Sequence, residues 1–149
     1  MPKLRLRNGV KMILFTIPGK PCAVQSVKST KSGIHYQPAN VKEWKSLVRM
    51  CAATVKPDKL MTGPVCVLIR AFFKRPEKYC TKKLSNIVVP CLIRRDCENI
   101  AKGINDAMTC VIWNDDSQII DLRIQKFYAL PDEAPYTQVF VEPATDDED

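Results

Sequence analysis

Apolar residues recur along this chain with two periods, which separate its predicted strands from its predicted helices. Residues 11–17 (KMILFTI) form a short apolar run closed by Pro18 and Gly19, which predicts a first strand. Residues 20–38 are polar, rich in Lys, Ser and Gln, and predict a loop with a short extended piece at residues 34–36. From Asn40 the period becomes helical. Val41, Trp44, Val48, Cys51 and Val55 share one face, Asn40 and Glu43 stand at capping-box spacing, and Pro57 stops the run. Residues 65–73 (VCVLIRAFF) are apolar on both faces and rich in branched and aromatic side chains, which predicts a central strand. Residues 74–87 read as a basic loop or short helix holding Arg75, Lys78, Lys82 and Lys83. Residues 88–93, interrupted by Pro90, read as an approach segment with short edge pairing.

A second helix is predicted from Asp96 to Thr109. Ile100, Ile104, Ala107 and Met108 share its buried face, and Asp96 stands at the N-cap, where the helix dipole stabilises an acid. A turn at residues 113–117 leads into a strand at 119–128. A final strand is predicted at 138–141, after a loop carrying Pro131 and Pro135. The order strand, helix, strand, helix, strand, strand implies an α+β fold: one domain with a mixed β-sheet and two packed helices, in two or three layers. Residues 1–11 read as a basic N-terminal extension, 12–144 as the domain, and 145–149 as an acidic disordered tail.

Charge narrows the function classes. The net charge is +7, and the last four residues are all acidic, so the rest of the chain carries +11. A basic body with a short acidic tail points to a polyanionic partner, most simply nucleic acid. The seven cysteines contain no CxxC pair and the single histidine is His35, which argues against a zinc site of ordinary spacing. Several cysteines lie in apolar runs, as Cys66 does, and read as small buried hydrophobes in a reducing compartment. No secretory signal pattern and no membrane-length apolar run is visible, so the expected location is cytoplasmic.

The chemistry concentrates in RRDCENIAKGINDAMTCVIWNDDSQIIDLRIQK, residues 94–126. Asp96 and Glu98 open the second helix, Lys102 follows about one turn later, and Asp115 and Asp116 precede the next strand. Carboxylates suit a hard divalent cation such as Mg²⁺, which neutralises phosphate charge and lowers the pKa of water. Residues two apart diverge inside a helix, but Asp96 lies before the first turn, where that restriction relaxes. The same residues also serve structure: Asp96 as a cap, Glu98 in a first turn, Asp115 and Asp116 as turn formers.

The spacing of these residues resembles the RusA family of Holliday junction resolvases. The resemblance rests on Asp96, Glu98, Asn99, Ile100 and Lys102, then Asp106, Ala107 and Met108, then Trp113, Asp115, Asp116, Gln118 and Ile119, and finally Lys126. Arg94 and Arg95 fit a basic approach to the first acid, and residues 17–21 (IPGKP) fit the family's opening strand and turn. The resemblance implies a Mg²⁺-dependent, structure-selective endonuclease, with Mn²⁺ as an alternative ion, that acts on four-way or other branched DNA as a homodimer. It implies Asp96, Glu98 and Asp116 as metal-binding acids and Lys102 as the catalytic lysine, with Asp115 the lesser member of its pair. Products would carry a 5′-phosphate and a 3′-hydroxyl. Two departures stand out. The second acid of the family pattern is Asp, here Glu98, and Ser26 follows Gln25 where many members carry arginine.

Lys20, Lys28, Lys31, Lys82, Lys83, Arg94 and Arg95 are the candidate DNA contacts, since phosphate binding draws on many cations and little sequence specificity. Tyr36 and Tyr79 are stacking candidates, while Trp44, Trp113 and Phe72 read as core. The rival reading is a branched-DNA-binding protein of the same fold, weak or inactive in cleavage because Glu98 alters the metal site.

Overall fold

A computed structural model describes residues 12–24, 28–29, 31–33, 35–36 and 39–144. The elements in chain order are β1 (Ile13–Pro18), β2 (Lys28–Ser29), β3 (His35–Tyr36), α1 (Ala39–Ala53), β4 (Val65–Phe73), β5 (Val89–Pro90), α2 (Cys97–Met108), β6 (Ile119–Tyr128) and β7 (Tyr136–Pro143). Single 3-10 turns stand at Glu77–Tyr79, Lys82–Leu84 and Asp116–Gln118. The expected N-terminal extension and acidic tail lie outside the described residues.

Five strands form one mixed sheet in the order β1-β7-β4-β6-β5, and β2 and β3 form a separate two-residue ladder. β4 and β6 pair in parallel, and a parallel pair needs a long crossover, which here contains α2. β1 and β4 are both antiparallel to β7, so β1, β4 and β6 all end at the same edge of the sheet.

The alternation of β4 sets the layers. Val65, Val67, Ile69, Ala71 and Phe73 are buried, and in register with them stand Val139 and Val141 of β7 and Ile124 and Tyr128 of β6. Ile13, Phe15 and Ile17 of β1 continue this face. Both helices cover it: Val41, Trp44 and Val48 of α1 and Ile100, Ile104, Ala107 and Met108 of α2 join the same core. The fold is therefore α+β in two layers, a mixed sheet with two helices on one face. The opposite face of the sheet carries Leu68, Phe72, Phe127, Tyr136 and Phe140. Phe72 is buried, as expected of a core residue, but on this second face, where it is covered by Phe127 and by Tyr136, whose ring stacks on it at 4.5 Å.

Four local departures have physical causes. α1 ends at Ala53, ahead of Pro57, where the Thr54 hydroxyl donates to the Cys51 carbonyl at 2.7 Å and turns the chain. Val55 is then left exposed. β7 extends beyond residues 138–141 at both ends because it is paired on both sides, with β1 and β4. Arg75, read as part of a basic loop, is buried instead. Its guanidinium donates to the carbonyls of Ala129, Leu84 and Ile87 at 2.8, 2.7 and 2.6 Å and ties down the 3-10 segment. The cysteines are all free thiols, and Cys80 and Cys110 are exposed while Cys91 is buried. Among the described residues no helix is long and apolar enough to cross a membrane.

Candidate functional site

Asp96 occupies the N-cap position of α2, as its sequence position predicts, but its side chain makes no capping hydrogen bond. A cap is satisfied when the carboxylate turns back onto the first-turn N–H groups. This carboxylate is exposed and does not do so. Glu98 lies in the first turn, also exposed, and Lys102 and Asp106 follow at successive i+4 positions. Glu98, Lys102 and Asp106 thus form one stripe of α2, with the lysine a turn from an acid on either side. Asp106 is engaged by Lys45 of α1, whose nearly buried ammonium lies 3.4 Å from its carboxylate.

The segment before Asp96 is fastened from β6. The Lys126 ammonium donates to the carbonyls of Ile93 and Arg95 at 2.9 and 2.8 Å. Cys91 N–H donates to the Lys126 carbonyl at 3.2 Å. The entry to α2 is therefore held against the carboxyl-terminal part of β6.

Asp115 and Asp116 lie at the other end of that strand. Asp115 caps the Asp116–Gln118 turn: its carboxylate accepts from Ser117 N–H at 3.1 Å, and the Gln118 side chain accepts from Asp115 N–H at 2.9 Å. The Gln118 amide then donates to the carbonyls of Met61 and Gly63, which locks the turn to the start of β4. Trp113, fully buried, anchors the turn from behind, its indole N–H donating to Thr109. Asp115 is held below the usual aspartate range, first by the Ser117 N–H and then by a hydrogen bond from Asp116. Asp116 is held above it, first by that hydrogen bond, then by burial and by the negative charges of Asp115 and Asp106. The opposite shifts of the two neighbouring carboxyls mark a local concentration of negative charge.

The structure brings the predicted site residues into two groups. Asp96 and Glu98 stand near the carboxyl edge of the sheet, and Asp116 stands at the opposite edge with Asp106 in electrostatic reach. Asp96 and Asp106 are ten residues apart, about 15 Å along the helix axis. Ligands on one Mg²⁺ sit at 2.0–2.1 Å, so two ligand oxygens lie within about 4 Å of each other. Among the described residues no three His, Cys, Asp or Glu side chains gather closely enough to hold one ion. The donor chemistry fits a hard divalent cation, while a single copy of the chain leaves the acids divided.

The basic candidates lie on loops at one edge of the sheet. Lys20 follows β1, Lys82 and Lys83 follow β4, and Arg94 and Arg95 precede Asp96. All are exposed, and all belong to loops at the carboxyl edge of the parallel strands. Lys31 is exposed in the loop after β1, and the Lys28 side chain lies outside the described residues. Tyr79 packs on Tyr128 with ring centroids 5.5 Å apart and planes tilted by 31°, and Lys78 lies over its ring, while the Tyr36 side chain lies outside the described residues. Lys126, Gln118 and Lys45 shape the site, and the sequence pattern named only the first two as motif positions, with no role. Gly103 is a further such residue. A Cβ there would collide with the Val24 side chain and meet the Trp44 ring, so the glycine admits the loop after β1 against α2. Val24 N–H donates to the Asn99 carbonyl at 3.0 Å at the same contact.

Two comparisons bear on this arrangement. Residues 18–142 match the family model described as endodeoxyribonuclease RusA. The uncharacterized protein YqaN of Bacillus subtilis (strain 168) is 32% identical over 137 residues, covering 87% of this chain and 94% of that protein.

Proposed function

The chain belongs to the RusA endodeoxyribonuclease family, and from that premise we propose that it is a Mg²⁺-dependent endonuclease resolving four-way junctions or other branched DNA. The observation that carries the reading is the pairing of free acids with a basic rim. Asp96 stands at a helix N-terminus without capping it, Glu98 and Lys102 follow along the same helix, and Lys20, Lys82, Lys83, Arg94 and Arg95 are exposed on loops of that edge. A rim of cations binds phosphates without reading bases, as a structure-selective enzyme requires. Bound at the carboxylates, Mg²⁺ would supply charge neutralisation at the phosphate and acidify the attacking water. Asp96, Glu98 and Asp116 would hold it, and Lys102 would stabilise negative charge developing on the phosphate.

The active species is a homodimer. Two opposed strands must be cut in a four-way junction, and one chain of this length carries one set of the motif residues. The separation of the acids adds a second reason. A two-fold arrangement in which Asp96 and Glu98 of one copy approach Asp116 of the other would complete two equivalent sites, each shared between subunits.

The alternative is a binding protein of the same fold with attenuated cleavage, favoured by Glu98 in the place of an aspartate. One assay separates them: the purified full chain on a synthetic four-way junction and a matched linear duplex, with and without Mg²⁺. Cleavage confined to the junction and dependent on Mg²⁺, lost in Asp96→Asn and Glu98→Gln while junction binding persists, supports the enzyme. Tight junction binding with no cleavage by the native chain supports the alternative.

A further inference from the structure

A cleft of about 390 Å³ opens at the carboxyl edge of the sheet, between the segment Pro18–Ala23, the first half of α1 and Arg95. We propose that it receives one nucleotide turned out of the DNA strand that passes the Asp96 edge, with its phosphate on Lys20 and Arg95 and its base against Trp44, Leu47 and Pro21. The proposal rests on the reading of this chain as a branched-DNA endonuclease and adds to it a binding site for a single unstacked nucleotide.

Four observations carry it. The volume lies at the low end of small-molecule clefts, room for one nucleotide and too little for a duplex. The lining is of two kinds: Lys20 and Arg95 are exposed cations, whereas Pro21 and Trp44 are buried and Leu47 half-buried. Both cations act on one point, since each pulls down the proton affinity of the Cys22 thiol in the cleft wall, though burial raises it overall. Trp44 lines the cleft with the small part of its ring that stays accessible, 5% of its surface.

Position adds to this. The cleft lies just beyond the carboxyl end of β1, on the sheet edge at which β4 and β6 also end. Arg95 adjoins Asp96 in the chain, so a nucleotide seated on Arg95 neighbours the phosphate presented to Asp96 and Glu98. Glu43 and Asn40 complete the lining from α1. A carboxylate repels phosphate and accepts hydrogen bonds, so Glu43 suits the base end, and the Asn40 amide can both donate and accept there. Turning a nucleotide out of a stack costs free energy, least where pairing is already broken, as at a branch point. A site for such a nucleotide would therefore contribute to the preference for branched DNA.

The test has two arms. In the first, the ¹⁵N-labelled full chain is titrated with deoxycytidine 5′-monophosphate, deoxyadenosine 5′-monophosphate and inorganic phosphate. Saturable shifts of the Trp44 indole N–H and of Leu47 with the nucleotides, weaker with phosphate, are expected. Lys20→Ala/Arg95→Ala should bind about tenfold more weakly, with an unchanged spectrum elsewhere to show that it folds. No saturable shift at these residues, or equal response to phosphate alone, overturns the proposal. In the second arm, junctions carry 2-aminopurine at successive positions beside the branch, with Ca²⁺ in place of Mg²⁺. Brightening at one position with the native chain, lost in Leu47→Trp, is expected; uniform quenching overturns the proposal. Junction cleavage in Mg²⁺ without shifts or brightening removes the cleft and leaves the endonuclease standing. Nucleotide binding without cleavage does the reverse.

Discussion

The ammonium of Lys126 lies 2.8 Å from the carbonyl oxygen of Arg95, so a residue late in β6 holds the peptide immediately before Asp96. The second bond, to Ile93 at 2.9 Å, makes this a two-point fastening of the helix entrance. Lys126→Met keeps the stem and removes both bonds. Charge-assisted hydrogen bonds contribute about 1.5–3 kcal/mol before solvent exposure discounts them, so thermal unfolding should show a loss of roughly 1–2 kcal/mol. Turnover should fall more than junction affinity, since the Lys126 ammonium is directed at two backbone carbonyls and not at phosphate. A variant with native kcat and reduced affinity would make Lys126 a DNA contact instead.

Asp116→Asn should abolish cleavage and also stabilise the metal-free protein. Asp116 is held above its ordinary value of 3.8 by the hydrogen bond to Asp115, by burial and by the charges of Asp115 and Asp106. A carboxyl whose folded pKa is raised favours the fold when protonated, and that contribution is lost as pH rises through the folded pKa. Asp115, held below its ordinary value, runs the other way, with a contribution lost as pH falls. The stability gain of Asp116→Asn should therefore be present at neutral pH and shrink below the carboxylate range. Melting curves against pH check this, and Mg²⁺ should narrow the gap at neutral pH by stabilising the native chain.

If each site is shared between subunits, two inactive variants should rescue one another. Asp96→Asn and Asp116→Asn, mixed and refolded together, give heterodimers with one fully mutated site and one intact site. Nicking of a junction by the mixture, with neither variant active alone, is the expected result. Sites contained within single chains predict no activity in the mixture, and a monomer both free and on the junction by sedimentation would remove the shared site altogether.

Gly103→Ala should destabilise the protein, although alanine ordinarily favours a helix by about 1 kcal/mol over glycine. The added methyl meets Val24 and the Trp44 ring. Overpacking of this kind costs about 1–3 kcal/mol, so denaturant melts should show a net loss and hydrogen exchange should rise in residues 19–24. An increase in stability would show that the loop after β1 repacks freely.

Arg75→Leu should cost roughly 3 kcal/mol, because removing a buried guanidinium strands the carbonyls of Ala129, Leu84 and Ile87 that it serves. Proteolysis should then begin within residues 77–88. An unchanged melting point would mean that water replaces the guanidinium without loss.

Periodicity alone determined the elements of this protein where side-chain patterning is strong and local. The strand at Val65–Phe73 and the helix entered at Asp96 stand where the apolar pattern puts them, and the motif spacing from Asp96 to Lys126 identifies the family. β5, reduced to Val89–Pro90 at the sheet edge, was legible from Pro90. Tertiary structure decided everything that depends on a partner distant in sequence. Lys45 is buried because Asp106 meets it across the helices, and Arg75 because four backbone carbonyls, of Tyr79, Leu84, Ile87 and Ala129, converge on it. Phe72 lies on the second face of the sheet because β4 alternates, a choice that an apolar run on both sides cannot reveal. The same holds for the acids. Sequence spacing places Asp96, Glu98 and Asp116 in one motif, but α2 runs the length of the sheet between them, and a helix of 12 residues is too long for its two ends to share one ion.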